Sequence, residues 1–259
     1  MAGWGLAGRR CVAMTQSGLM RRIPAALAGL LFALGWPAIA GPRGHPQAAD
    51  ESVTVSSEHP RLFLRPARLR LLRRERERAS ARWQQFEALV AGNAPMPERG
   101  FAQALYYQIS GNAAAGQQAI AWALGPGDDL RQLALVFDWC QDLLGEAQRR
   151  ELAARLQKGM AATAANDGIA AVRSRVLAAV ALFDHVPQAP QRELERVVRD
   201  WWHGRIAPAL HSGRGAVARD DAYALLELLH AMRDNTDLDL RESCAGFFKD
   251  FPIEHLMSY

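Results

Sequence analysis

At 259 residues and 49% hydrophobic, the chain is long and apolar enough to bury a sizeable core, as one large or two small domains. Its formal charge of +4 hints at an acidic partner such as nucleic acid, but the excess sits in Arg9, Arg10, Arg21 and Arg22, and residues 41–259 carry equal numbers of basic and acidic groups. No nucleic-acid partner is therefore expected, and no CxxC, Cys/His cluster, P-loop, GxSxG or HExxH pattern supports a metal or any other cofactor.

In chain order, Met20-Arg21-Arg22, the apolar run 23–34 and Ala38-Ile39-Ala40 have the layout of a secretory signal ending at residue 40, with Met20 as an alternative start. The run is interrupted by Gly35, Trp36 and Pro37 and falls short of the roughly 20 apolar residues of a membrane span. The expectation is export to the periplasm or beyond, with no membrane attachment after cleavage. Residues 41–57, rich in Gly, Pro, Ser and Ala, read as a flexible lead-in to a helical domain over 58–259. His59-Pro60 opens a short extended segment, because a residue before proline is pushed out of the helical region.

Pro66 then suits the start of a long helix over 67–91, whose arginine-rich run is interleaved with Glu75 and Glu77 as on a solvated face. After the loop 92–100, helices over 101–110 and 113–124 form a hairpin at Gly111-Asn112, which supply a left-handed end and a cap. A second hairpin spans 130–156: Leu130, Leu133, Ala134, Phe137, Cys140 and Leu144 make one apolar stripe before the turn at Leu144-Gly145-Glu146. Further helices are expected over 172–183, 191–206 and 221–233, and a last one near 240–248. No run alternates with the period of a strand, so the fold class is all-α, made of paired antiparallel helices. Cys11 leaves with the signal, while Cys140 and Cys244 either pair as a disulfide in an oxidising compartment or lie as free thiols in the core.

His59-Pro60-Arg61-Leu62-Phe63, the run Ala104-Leu105-Tyr106-Tyr107-Gln108-Ile109-Ser110-Gly111-Asn112, and Phe137-Asp138-Trp139 followed by Leu143-Leu144-Gly145-Glu146 occur in that order. Together they resemble the N-terminal part of the heparinase II/III-like and alginate-lyase-like polysaccharide lyases, over most of residues 57–185. The resemblance implies an incomplete (α/α) toroid whose cleft binds an acidic polysaccharide or oligosaccharide and cleaves it by β-elimination beside a uronic acid. The family continues into further helices and a C-terminal β-sandwich domain. Their absence here implies truncation at the C-terminal end, with the β-sandwich as a missing partner.

Such a reaction needs groups that neutralise the sugar carboxylate and a base and an acid beside C5 and the leaving oxygen. The family's Asn-His pair before an Arg-x-Arg run is absent ahead of Arg173-Ser174-Arg175, and Asn166 matches it only with a shifted loop. Tyr223, after the glycine-rich stretch 213–215, is the expected proton-transfer residue, or else a packing aromatic at a helix start. His211, in a loop between Leu210 and Ser212, is more open to a ligand than His230 in its leucine-rich helix. Arg214, Arg173 and Arg175 are candidates for the carboxylate, the alternatives being ordinary solvation or snorkelling. Trp202 is a candidate for stacking on a sugar ring, although at least one of Trp201 and Trp202 is expected in the core. Two alternatives stand beside the lyase: a non-catalytic glycan-binding scaffold, and an (α/α) glycoside hydrolase drawing a carboxylate pair from Asp138, Asp167, Asp220, Asp221 and Glu227.

Overall fold

A computed structural model describes residues 53–212 and 217–250. The expected signal sequence, most of the lead-in, Arg214 and the last nine residues lie outside the described residues. The described chain is all-α and contains no strand. Its helices are α1 (Pro66–Glu77), α2 (Ala81–Ala91), α3 (Arg99–Ser110), α4 (Ala113–Leu124), α5 (Leu130–Trp139), α6 (Glu146–Ala162), α7 (Ile169–Leu182), α8 (Ala189–Arg196), α9 (Ala207–His211) and α10 (Ala222–Asn235). None of them is long and apolar enough to cross a membrane.

The α3–α4 hairpin forms where its turn chemistry places it. Gly111 takes φ +76°, open to glycine at no steric cost, and Asn112 caps α4 by accepting from the amides of Ala114 and Ala115. Its partner α5 is buried along its whole length, and Asp129 caps it by accepting from Gln132 at 2.7 Å. In the second half of α7 every residue from Val176 to Leu182 is fully buried, and the helix packs against α5, α6, α8 and α10.

Three departures from the sequence expectation have local causes. The long helix expected over 67–91 is two helices, because Ala79 adopts φ +47° and Ser80 caps a new start by accepting from the amide of Trp83 at 3.3 Å. This bend lets Leu69 of α1 and Trp83 of α2 meet Ile109 in a satellite cluster. The helix expected over 191–206 begins at Ala189 and runs on to His211, with a wide-turn stretch from Val197 to Ile206 in which the Ala207 amide reaches the carbonyl of Trp202. A wider turn narrows the angle between consecutive side chains below the roughly 100° of an α-helix. Trp201 and Trp202 are both buried there, donating to the Asp167 carbonyl and the Ser243 hydroxyl respectively. Finally, Val53 is buried and the Ser56 amide donates to the Asn235 carbonyl at 3.1 Å, so the end of the expected flexible lead-in is held against α10.

The segment from His59 to Leu64 has no helical hydrogen bonds of its own, yet Leu62 and Leu64 belong to the main core. Asp138 of α5, itself 1% exposed, accepts from the amides of Arg61 and Leu62 at 3.0 and 2.8 Å and pairs with His59 Nδ1 at 2.6 Å. Trp139 adds an indole N–H to the Leu62 carbonyl at 2.8 Å. The buried Arg61 guanidinium in turn meets His59 Nε2 and the Asp184 carboxylate. The segments 59–64 and 138–139, far apart in the sequence, are therefore bonded directly to each other. Cys140 and Cys244 are free and buried, which favours the core alternative over a disulfide. Burial, reinforced by Asp142 and Asp138, pushes the Cys140 thiol up to about 12.

Candidate active site

A cavity of about 490 Å³ opens between this pinned segment and α10. Phe63 and Leu64 form one wall, Phe101 and Leu105 of α3 with Trp139 of α5 the floor, and Tyr223, Leu226, Glu227, Leu229 and His230 of α10 the opposite wall. The polar rim is completed by Arg68, Arg131 and Arg241. The volume lies in the range typical of small-molecule sites, and a largely apolar lining with a few convergent polar groups is their usual composition.

The register of α10 builds its side of the cleft. Tyr223, Leu226, Glu227 and His230 follow i, i+3, i+4, i+7 spacing and share one face, while Leu225, Leu228 and Met232 are buried on the other. Tyr223 is 67% exposed and Leu226 55%. Partial desolvation lifts the Tyr223 phenol above its usual range, and the negative charge of Glu227 one turn away adds to the effect. The phenol keeps its proton at neutral pH.

Glu227 is buried and multiply held. It accepts from Arg131 Nε at 3.0 Å and Nη2 at 2.6 Å, and from Arg173 Nη1. Arg131 also donates to Glu98 at 2.9 Å and lies 5.5 Å from the centre of the Phe101 ring. Burial opposes the charge on Arg131, but Glu227 and Glu98 outweigh it and raise its pKa further.

His230 faces two guanidinium groups. Arg68 Nη2 donates to Nε2 at 2.9 Å, and Arg233 Nη2 lies 3.2 Å from Nδ1. A guanidinium only donates, so the Arg68 contact is a hydrogen bond in the tautomer of the neutral ring that keeps its lone pair on Nε2. Desolvation lowers the His230 pKa, Asp234 opposes this, and Arg233, Arg68 and Arg241 lower it further. Arg68 also donates to the Phe63 carbonyl at 2.9 Å, whereas Arg241 is paired with Asp239.

The structure brings some of the sequence candidates together and separates others. Tyr223 lines the cleft, and Arg173 reaches it only through Glu227. Arg175 is not a cleft residue: it is fully buried, donates to Glu193 at 2.7 Å and to the Asn166 carbonyl at 2.6 Å, and braces the start of α7. Trp202 is fully buried too and offers no face to a sugar. Asn166 is an exposed residue ahead of α7 whose side chain accepts from the Gly168 amide at 2.9 Å. His211 ends α9, where Nε2 donates to the Ser243 carbonyl at 2.6 Å. Neither Asn166 nor His211 lines the cavity that holds Tyr223.

Sequence reading missed Arg68, Arg131, Glu227, His230 and Arg241 as a group, since they come from three helices and a later turn. The α10 register is the one signal that joins four cleft residues, Tyr223, Leu226, Glu227 and His230. Glu227 is the only carboxylate lining this cavity among the described residues, so the two-carboxylate arrangement of a hydrolase is not assembled there. Among the described residues no cluster of His, Cys, Asp and Glu is placed to hold a metal ion. No protein-family model matches the sequence, and no curated protein and no solved structure is significantly similar to it.

Proposed function

We propose that the helical hairpins form an incomplete (α/α) toroid around this cleft, and that the exported protein binds an acidic polysaccharide there and cleaves it by β-elimination. The observation that carries the reading is the joint placement, on one cleft, of a protonated exposed phenol at Tyr223, a neutral imidazole at His230 and the guanidinium of Arg68. A uronate carboxylate pairs with Arg68 and draws it from His230, which frees the Nε2 lone pair. His230 then takes the C5 proton, the C4–C5 double bond forms, and the C4–O bond breaks with its electron pair on the leaving oxygen. Tyr223 supplies the proton that this oxygen accepts. The apolar floor of Phe101, Leu105 and Trp139 offers a surface for sugar rings and limits water.

Incubation with alginate, heparan and pectic polymers, read as the ultraviolet absorbance of unsaturated uronate products, tests this reaction. Turnover that disappears in Tyr223→Phe and His230→Ala is the expected result, and silence across the panel overturns it. A non-catalytic glycan-binding scaffold is the second reading, favoured by the location of Asn166 and His211 away from the cleft. It requires polymer binding without turnover, unchanged in Tyr223→Phe.

A further inference from the structure

We propose that the cavity between α2, α3 and α4 is a second ligand site, one that takes the hydroxyl groups of a single pyranose sugar. It measures about 360 Å³, within the range of small-ligand sites, and is bordered by Asn93, Arg99, Gln103, Tyr106, Asn112 and Gln118. On α3, Arg99, Gln103 and Tyr106 share one face at i, i+4, i+7, whereas Phe101 and Leu105 turn the other way into the large cleft. The two cavities thus lie on opposite sides of one helix.

The observation that points to a ligand is Gln103. It is 2% exposed, and its Oε1 has no hydrogen-bond partner among the described residues. Buried amides are almost always paired, and an unpaired one costs on the order of 1–3 kcal/mol. Its neighbours are already committed: the Tyr106 hydroxyl donates to Glu87 at 3.2 Å, Asn112 Oδ1 caps α4, and Asn93 Oδ1 accepts from Arg99 at 3.1 Å. What remains around the cavity is a set of amide donors and acceptors with part of one guanidinium and no carboxylate. A Gln amide turns about its last torsion at little cost, so either its oxygen or its nitrogen reaches the cavity. A hydroxyl both donates and accepts, and adjacent ring hydroxyls match such amides in pairs. Tyr106 is held flat against Trp83, with centroids 5.5 Å apart and planes 6° from parallel, which gives the site a rigid aromatic border.

This inference does not rest on the reaction proposed for the cleft. Titration of the intact chain with D-glucose, D-galactose and D-glucuronate, followed by saturation-transfer NMR, tests it. At least one of the three is expected to bind saturably, with affinity reduced about tenfold in Gln103→Leu, the loss of one hydrogen bond. Gln118→Ala, at an exposed position, should weaken binding in the same direction, and Tyr223→Phe should leave it unchanged. Because Gln103→Leu removes an unpaired polar group from a buried place, its melting temperature should hold or rise. Absence of saturable binding by all three sugars, binding lost in Tyr223→Phe instead, or a lowered melting temperature in Gln103→Leu would each overturn the proposal.

Discussion

The carboxylate of Asp138 accepts the backbone N–H of Leu62 at 2.8 Å, so a wall of the cleft is fastened to a core helix 76 residues further along the chain. Asp138→Ala leaves the amides of Arg61 and Leu62 and the His59 ring without their acceptor in a buried place. Stability should fall by about 2–4 kcal/mol, measured by urea denaturation. A change within about 0.5 kcal/mol, the scale of an ordinary surface substitution, would show that the segment is held by apolar packing alone.

Glu227→Gln removes the charge that holds Arg131 and Arg173 together. Glu98 stays on Arg131, so the expected cost is the lower part of the range for a broken buried pair, about 3 kcal/mol. The same substitution relieves the Tyr223 phenol of a nearby negative charge, and its titration should move down toward the ordinary tyrosine range. Ultraviolet difference titration against Tyr223→Phe isolates that one phenol. An unmoved titration would mean that Glu227 and Tyr223 are not coupled.

His185 and His230 predict a loss of stability in mild acid. Desolvation is the main cause of a lowered pKa at both, supported by His59 at the first and by Arg233 and Arg68 at the second. Each ring stays neutral in the fold at a pH where the unfolded chain, with its ordinary value near 6.5, already takes up a proton. The neutral rings therefore leave stability intact above about pH 6.5, and stability declines as the pH falls below it. Melting temperatures between pH 7.5 and 5 should decline, and the double variant His185→Gln, His230→Gln should decline less. An equally steep decline in the double variant would assign the effect to other groups.

Two glycines separate steric crowding from backbone strain. A Cβ at Gly100 would stand 2.3 Å from Cε3 of the rigid Trp122 indole, so Gly100→Ala should cost about 1–3 kcal/mol through forced repacking. At Gly111 nothing lies within 4 Å, and only φ +76° opposes a side chain. Gly111→Ala should cost about 1 kcal/mol, and Gly111→Asn, which tolerates that conformation, less. Equal losses at the two positions, read by thermal melts, would contradict this division.

The α3–α4 hairpin was legible because its information is local: Gly111 and Asn112 define the turn without help from the rest of the chain. The break at Ala79 was not, although Ser80 carries the cap, because an alanine in the left-handed region has no signature of its own. Arg175 illustrates a signal that was present and unused. It falls with Val172, Val176 and Ala179 at i, i+3, i+4, i+7, the buried stripe of α7, which places it among core residues rather than at a cleft. Tyr223, singled out from the sequence, lines the cleft, but the grouping of its neighbours there was not legible. Arg68, Arg131 and Arg241 look like ordinary charged surface residues until α1, α5 and the turn after α10 converge.

The bonds from Asp138 and Trp139 also decide how the irregular wall behaves in time. A stretch without helical bonds would normally exchange its amide hydrogens rapidly with solvent, as expected for Glu58, whose N–H meets only the exposed Ser56 hydroxyl. The amides of Arg61 and Leu62 end instead on a carboxylate within the core, and their deuterium uptake should wait for the opening of α5 itself. The wall and the helix behind it then open as one cooperative unit, so the cleft keeps its width on that side until the whole unit gives way.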